Sequence, residues 1–301
     1  MRKLKIVTLV MLCILTAGLC GIFAYGMTGH NIYVGSYEYR DYNHGYGSQQ
    51  LVFEKEVPLD GIDSISVLYD MNGNDIYIYE SEGSFLTVKE YNELELTGNE
   101  VSTVKVTGSN LEIKGKKRNR RNYVGFGFFN VHSAYGYTEI GLPSAYKGEL
   151  TFTSSSGDIV SQMDIALEKD FKAASSSGSI SIPHMNAQNA SLSCSSGDVR
   201  VETISTDRNG SMGEINIATS SGNISVKQLA GKITIGSSSG DINVNELTGE
   251  TDIKSSSGYV KSDAISGNTQ ISTSSGDIMV QQIEGDATVE ASSGYVRIYK
   301  G

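Results

Sequence analysis

Along the C-terminal half, apolar residues fall two apart, pause, and fall two apart again. Ile233 and Ile235 lead into Ser237-Ser238-Ser239-Gly240-Asp241, and Ile242 and Val244 follow it. Side chains two apart on a strand share a face, so these residues line one face of two short strands joined at a corner. No window carries the 3.6-residue period of a helix.

The corner phrase occurs eight times. Its glycines are Gly157, Gly178, Gly197, Gly222, Gly240, Gly258, Gly276 and Gly294, spaced by 21, 19, 25 and then four times 18 residues. Both residues before each glycine are serine. Two residues after it stands a β-branched residue, from Ile159 to Val296, and five before it an apolar one, from Phe152 to Val289. In the four regular units a second glycine (Gly231, Gly249, Gly267, Gly285) follows an apolar residue by two.

Repetition at a short fixed period means stacked units that bury a shared core. Eighteen residues make one coil of two main strands, and successive coils stack at roughly 4.8 Å in parallel register. The expected fold class is therefore all-β, a parallel β-solenoid with coils of about 18 residues, right-handed by the general preference of parallel crossovers. The position three before each glycine also points inward and holds Ser154, Ser175, Cys194, Thr219, Ser237, Ser255, Thr273 or Ala291, all small, as a tapering core requires. The glycine itself is expected at a corner of positive φ, where a Cβ costs about 1 kcal/mol.

Strand spacing continues upstream, in Ile65 and Val67, Ile76 and Ile78, Leu86 and Val88, Val104 and Val106, and Leu111 and Ile113. Asn74-Asp75-Ile76 with Ile78 echoes the corner phrase, which predicts a degenerate start of the same stack. Glu139-Ile140-Gly141-Leu142-Pro143 reads as a further strand. The organisation expected is a segment 1–26 that anchors or exports the chain, a Tyr/Gly linker 27–49, an irregular β region 50–149 with an insertion at 114–137, and the regular coils 150–301.

Arg2, Lys3 and Lys5 precede 19 residues, Ile6 to Ala24, without a charge. A secretory apolar core runs about 7–15 residues and a membrane span about 20, so the length favours an uncleaved transmembrane helix. Cleavage after Ala24-Tyr25-Gly26 is the alternative, and would leave a secreted protein. In both cases the positive flank stays inside and the bulk of the chain is extracytoplasmic.

Charge and cysteines narrow the classes. From Met27 onward there are 21 basic and 34 acidic residues, a balance of −13, which argues against nucleic acid as a partner. Cys13 and Cys20 lie in the apolar segment, so Cys194 is the lone cysteine outside it, placed by register in the core.

Against this acidic background Lys114, Lys116, Lys117, Arg118, Arg120 and Arg121 put six positive charges into eight residues, followed by Tyr123, Phe126, Phe128, Phe129, Tyr135 and Tyr137 among glycines. One reading is a polar hairpin tip followed by a strand that buries its aromatics. The functional reading is a loop that docks on anionic lipid or an anionic wall polymer, with Lys116, Lys117, Arg118, Arg120 and Arg121 attracting the surface and Phe126, Phe128 and Phe129 inserting.

Other chemistry finds less support. Asp158, Asp198, Asp241 and Asp277 follow corner glycines, but Ser179, Asn223, Tyr259 and Tyr295 interrupt the column, and the Gly-Gly-x-Gly-x-Asp signature of calcium-binding solenoids is missing. The histidines His30, His44, His132 and His184 show no metal spacing, and no cofactor is expected. Arg200, Lys261 and Arg297 share one outward column, which raises a polysaccharide lyase on a β-helix as the alternative to a non-enzymatic protein. They are not in adjacent coils, so no catalytic residues are assigned.

The Ser-Ser-Gly-Asp-Ile-x-Val phrase, the Glu139-Ile140-Gly141-Leu142-Pro143 strand and the Gly61-Ile62-Asp63-Ser64-Ile65-Ser66-Val67 opening resemble the bacterial putative-adhesin β-strand-repeat family, a domain of unknown function, over Leu51 to Gly301. The resemblance implies a cell-envelope binding or scaffold role, adhesin-like or related to envelope stress, with no catalytic residues to carry over. A protein or cationic peptide held on the acidic solenoid face is the competing binding role. The chain is still in repeat at Val296 to Ile298, and an open strand edge there predicts self-association or a partner.

Overall fold

A computed structural model describes residues 49–69, 73–93, 95–96, 98–116, 123–124, 131–132, 136–208 and 210–299. Among them every regular element is a strand, and no helix is long and apolar enough to cross a membrane. The anchor expected at 1–26 and nearly all of the linker lie outside the described residues. Of the described residues, those within 49–118 and 136–301 belong to one compact unit, and 123–124 with 131–132 fall outside it.

The larger unit is built on two long sheets, and each coil contributes one strand to each. In the first sheet Ile159–Ser161, Ile180–Asn186, Val199–Ser205, Ile224–Ala230, Ile242–Thr248, Val260–Ser266, Ile278–Glu284 and Val296–Ile298 lie side by side, all parallel. In the second, Glu149–Ser154, Phe171–Ser175, Ala190–Cys194, Glu214–Thr219, Lys232–Ser237, Thr251–Ser255, Thr269–Thr273 and Ala287–Ala291 do the same. Equivalent residues pair from coil to coil, so Ile224, Ile242, Val260 and Ile278 form one buried column and Ile217, Ile235, Ile253 and Ile271 another. The core is the space between these columns, and no coil can fill it alone.

The first-sheet strand departs from strict alternation. Ile242, Val244 and Leu247 are buried while Asn245 and Glu246 both face solvent. Two successive outward residues mark a bend, repeated in register coil after coil, which brings a third apolar side chain back inside before the second corner.

The corner glycines correct one expectation. None of the eight lies at positive φ; that conformation belongs to Gly249, Gly267 and Gly285 at the second corner, among others. What the phrase glycines share is crowding. A Cβ on any of them would stand 1.8–2.0 Å from a carbonyl oxygen of the coil before, that of Asn74 beneath Gly157 and of Gly222 beneath Gly240. The corners stack backbone on backbone, and only the absence of a side chain permits that approach.

Hydrogen bonds complete the corner. The inward hydroxyl three residues earlier accepts the glycine N–H, at 2.8 Å for Ser154 and Gly157, 2.9 Å for Ser237 and Gly240, and 3.0 Å for Thr273 and Gly276. Ser175 and Thr219 also donate to the glycine carbonyl of the preceding coil. One residue after the glycine, a side-chain oxygen accepts the N–H of the same position in the next coil: Asp198 from Asn223 at 2.8 Å, Asn223 from Asp241 at 2.9 Å, Asp241 from Tyr259 at 2.9 Å and Asp277 from Tyr295 at 2.9 Å.

The same stack begins earlier than the regular repeat. Ser64–Tyr69 and Asp75–Glu80 pair in parallel with Glu149–Ser154 and Ile159–Ser161, and the Asp75 carboxylate takes the Asp158 N–H. Beyond this coil the direction reverses. Phe85–Asn92 runs antiparallel to Gly136–Leu142 and to Gln50–Pro58, and Thr103–Thr107 antiparallel to Asn110–Lys114. Under the reversal lies a buried polar cluster, in which Glu90 accepts the Ser102 N–H at 2.8 Å and Asn74 Nδ2 at 3.3 Å. The last coil differs from the rest: its inward Val296 and Ile298 are 41% and 47% exposed.

Candidate functional site

Of the residues expected to dock on a surface, Lys116 is half-buried just beyond Asn110–Lys114, while Lys117, Arg118, Arg120, Arg121, Phe126, Phe128 and Phe129 lie outside the described residues. Within that stretch Tyr123–Val124 pairs antiparallel with Val131–His132. The chain re-enters the larger unit at Gly136, one residue before Tyr137.

Tyr137 belongs to a cluster that pattern reading had not assembled. On the outer face of the first sheet Tyr77 and Tyr79 alternate with the buried Ile76 and Ile78. Register sets Tyr77 beside Glu139, Glu139 beside Lys89, and Tyr137 beside Tyr91. The Tyr91 and Tyr137 rings stack at 4.6 Å and 13°, and Tyr77 meets Tyr137 edge-on at 5.7 Å. Tyr79 leans across the neighbouring strand over Gly141, where a Cβ would be 2.8 Å from its hydroxyl oxygen. Lys89 pairs with Glu54 at 3.5 Å. Burial raises the Tyr79 and Tyr91 hydroxyls above the ordinary tyrosine value, with Glu139 adding to both, so both stay protonated donors at neutral pH. The alternation Asp75-Ile76-Tyr77-Ile78-Tyr79 carried a signal for this face, but the pairing of Tyr91 with Tyr137 spans 46 residues and leaves no local trace.

A second surface lies on the outer side of the other sheet. Glu214, Lys232, Glu250, Asp252, Asn268 and Asp286 line an open trough of about 780 Å³ along successive coils. One Asp252 oxygen meets Lys254 Nζ at 2.5 Å, and the other is buried without a hydrogen-bond partner.

The remaining candidates resolve as structure. Arg200 and Lys261 share a column but are separated by Ser225 and Asn243, and Arg200 pairs with Asp198 at 2.6 Å. His184 stands 4.0 Å from Glu202. Among the described residues no group of metal-ligating side chains converges. Cys194 is buried in its column, and burial pushes its thiol up to about 11.

Comparison with known proteins places this architecture. No curated protein matches the chain. Among solved structures it is similar to a putative adhesin from Parabacteroides merdae, at 12% identity, 90% of this chain, 99% of that chain and a TM-score of 0.43. It is also similar to a putative adhesin from Bacteroides fragilis, at 13%, 81%, 98% and 0.39. A putative lipid binding protein from Parabacteroides distasonis gives 15%, 90%, 100% and 0.34. The family model described as Toastrack DUF4097 matches residues 62–263 and again 211–300, from the first coil to the last, in agreement with the resemblance carried by the repeat phrase. The chain belongs to the Toastrack DUF4097 family.

Proposed function

We propose that this chain is a membrane-anchored, extracytoplasmic scaffold of the bacterial envelope that binds rather than catalyses. The observation that carries the reading is the use made of its polar residues. The inward serines and threonines of the repeat and the residues that follow its glycines, which elsewhere could suggest hydrolytic or calcium chemistry, are hydrogen-bonded within the corner or to the neighbouring coil and hold the stack together. A stack so held is a rigid support for whatever its insertions and outer faces present. The basic and aromatic insertion supplies the docking element, and the apolar segment after Arg2, Lys3 and Lys5 supplies the tether.

Flotation of residues 27–301 with anionic and neutral vesicles tests this. Binding is expected to anionic vesicles alone. Each basic residue near such a surface contributes about 1 kcal/mol, so changing Lys116, Lys117, Arg118, Arg120 and Arg121 to Ser should abolish it. Equal flotation of both proteins, or of neither, removes the insertion as a docking element.

The acidic trough favours a second reading, in which a Lys/Arg-rich peptide or protein is held along the second sheet. Capture of such a peptide that falls with salt and survives the insertion variant would support it.

A further inference from the structure

We propose that the tyrosine-bearing outer face of the first sheet is a binding site for neutral polysaccharide. The site comprises Tyr77, Tyr79, Tyr91 and Tyr137, with Glu139 and Lys89 set in register among them. It lies on the other sheet from the acidic trough.

The composition of this face sets it apart from the rest of the stack. Outward positions of the regular coils are mostly small or charged, such as Ser225, Asn243 and Lys261 in one column and Asn216, Thr234 and Asp252 in another. Those residues solvate a sheet. Here three adjacent strands instead raise four half-buried aromatic rings, and Gly141 is bare so that Tyr79 can lie down across it. Tyr79, laid along the sheet beside the stacked Tyr91–Tyr137 pair, offers a broad apolar surface with a polar rim, and the C–H-rich face of a pyranose ring has the complementary form.

The polar groups suit the same ligand. Lys89, paired with Glu54, can still donate, Glu139, hydrogen-bonded to Tyr91, can still accept, and the Tyr79 hydroxyl remains a protonated donor, so neighbouring sugar hydroxyls find both kinds of partner. Charge decides between classes of polymer. Glu54 and Glu139 outweigh Lys89 on this face, which disfavours a polyanion and leaves an uncharged chain. Three strands at the usual spacing span about 10 Å, enough for about two sugar rings in a row.

The test uses the full-length chain in mild detergent with cellohexaose and chitohexaose as probes, followed by calorimetry and by near-ultraviolet circular dichroism. The protein has no Trp, so the aromatic band reports tyrosine. Saturable binding of either oligosaccharide is expected, with a change in the tyrosine band and no dependence on salt. Tyr79→Ala and Tyr91→Ala should each weaken it about tenfold, as loss of one stacked ring implies. Tyr79→Phe and Tyr91→Phe keep the rings, guard against loss of fold and should retain most of the binding. Tyr259→Ala with Tyr295→Ala, on exposed tyrosines of the repeat, should change nothing. Failure of both sugars to bind, binding unchanged in the Tyr79/Tyr91 double alanine variant, or binding abolished by salt would each overturn the assignment. Vesicle flotation is independent of every one of these outcomes.

Discussion

Gly240 and Gly236 are four residues apart in one coil and make opposite demands. A methyl group at Gly240 would lie 1.8 Å from the Gly222 carbonyl oxygen, whereas one at Gly236 meets nothing within 4 Å. Gly240→Ala must push two coils apart along their whole corner and is expected to cost about 3 kcal/mol or more, the range of severe core overpacking. Gly236→Ala, on an outward strand position, should be neutral or stabilise by up to about 1 kcal/mol. Urea unfolding of the two variants beside the parent gives both numbers. Ser237→Ala sits between them, since it strands the buried Gly240 N–H at a cost of about 1–3 kcal/mol. At this scale the identity of the residues was legible in the sequence but not the reason for them. Spacing shows that a glycine recurs; it cannot distinguish a corner of positive φ from a corner pressed against the one below. Nor does a small inward serine announce that its hydroxyl is the acceptor for the turn.

The coil is the element in which the pattern spoke most clearly. Alternation before and after the phrase placed Ile233, Ile235, Ile242 and Val244 inside, and the structure buries all four. The repeated bend was half visible, in the three-residue step from Val244 to Leu247. The longest coil, with a spacing of 25 from Gly197 to Gly222, carries its surplus as a small hairpin in which Asp207–Arg208 pairs with Ser211–Met212. Arg208 turns back from it and donates to the carbonyls of Leu167 and Glu168, two coils earlier, so the surplus residues act as a strap. Arg208→Ala should speed amide exchange at Gly210 and Gly213 and lower stability by about 1 kcal/mol, without altering exchange in the coils from Ile242 onward. Uniform acceleration throughout the stack would show that the strap is part of the global fold.

For the larger unit as a whole, the informative contrast is between its two ends. The N-terminal strands turn antiparallel and end in Gln50–Pro58 and Thr103–Thr107, while at the other end Ala287–Ala291 and Val296–Ile298 are outermost and Val296 and Ile298 are half exposed. Such an edge invites a strand, and we expect a second copy to supply it, with the two ends facing. Two such ends facing about a twofold axis use the same surface of each copy, which gives a dimer. Sedimentation of residues 27–301 should therefore show dimer at micromolar concentration and monomer for Val296→Lys with Ile298→Lys. Monomer throughout, or assemblies beyond the dimer, would contradict this. The solenoid and its echo at Asn74-Asp75-Ile76 were readable because parallel stacking repeats the same residues in register. The antiparallel strands and the tyrosine face were not, because they join strands such as Phe85–Asn92 and Gly136–Leu142 that share no phrase.

A stack of near-identical coils yields in a particular way under load. If the chain is tethered at its N-terminus and gripped near its C-terminus, tension falls first on the outermost coil, whose hydrogen bonds lie along the stacking direction and open in succession. Each coil that peels away releases 18 residues, about 60 Å of extended chain, and exposes a new edge of the same kind as the one lost. The stack would therefore yield by paying out length in equal steps while the coils nearer the tether stay folded, and it would rewind onto them when the pull relaxes.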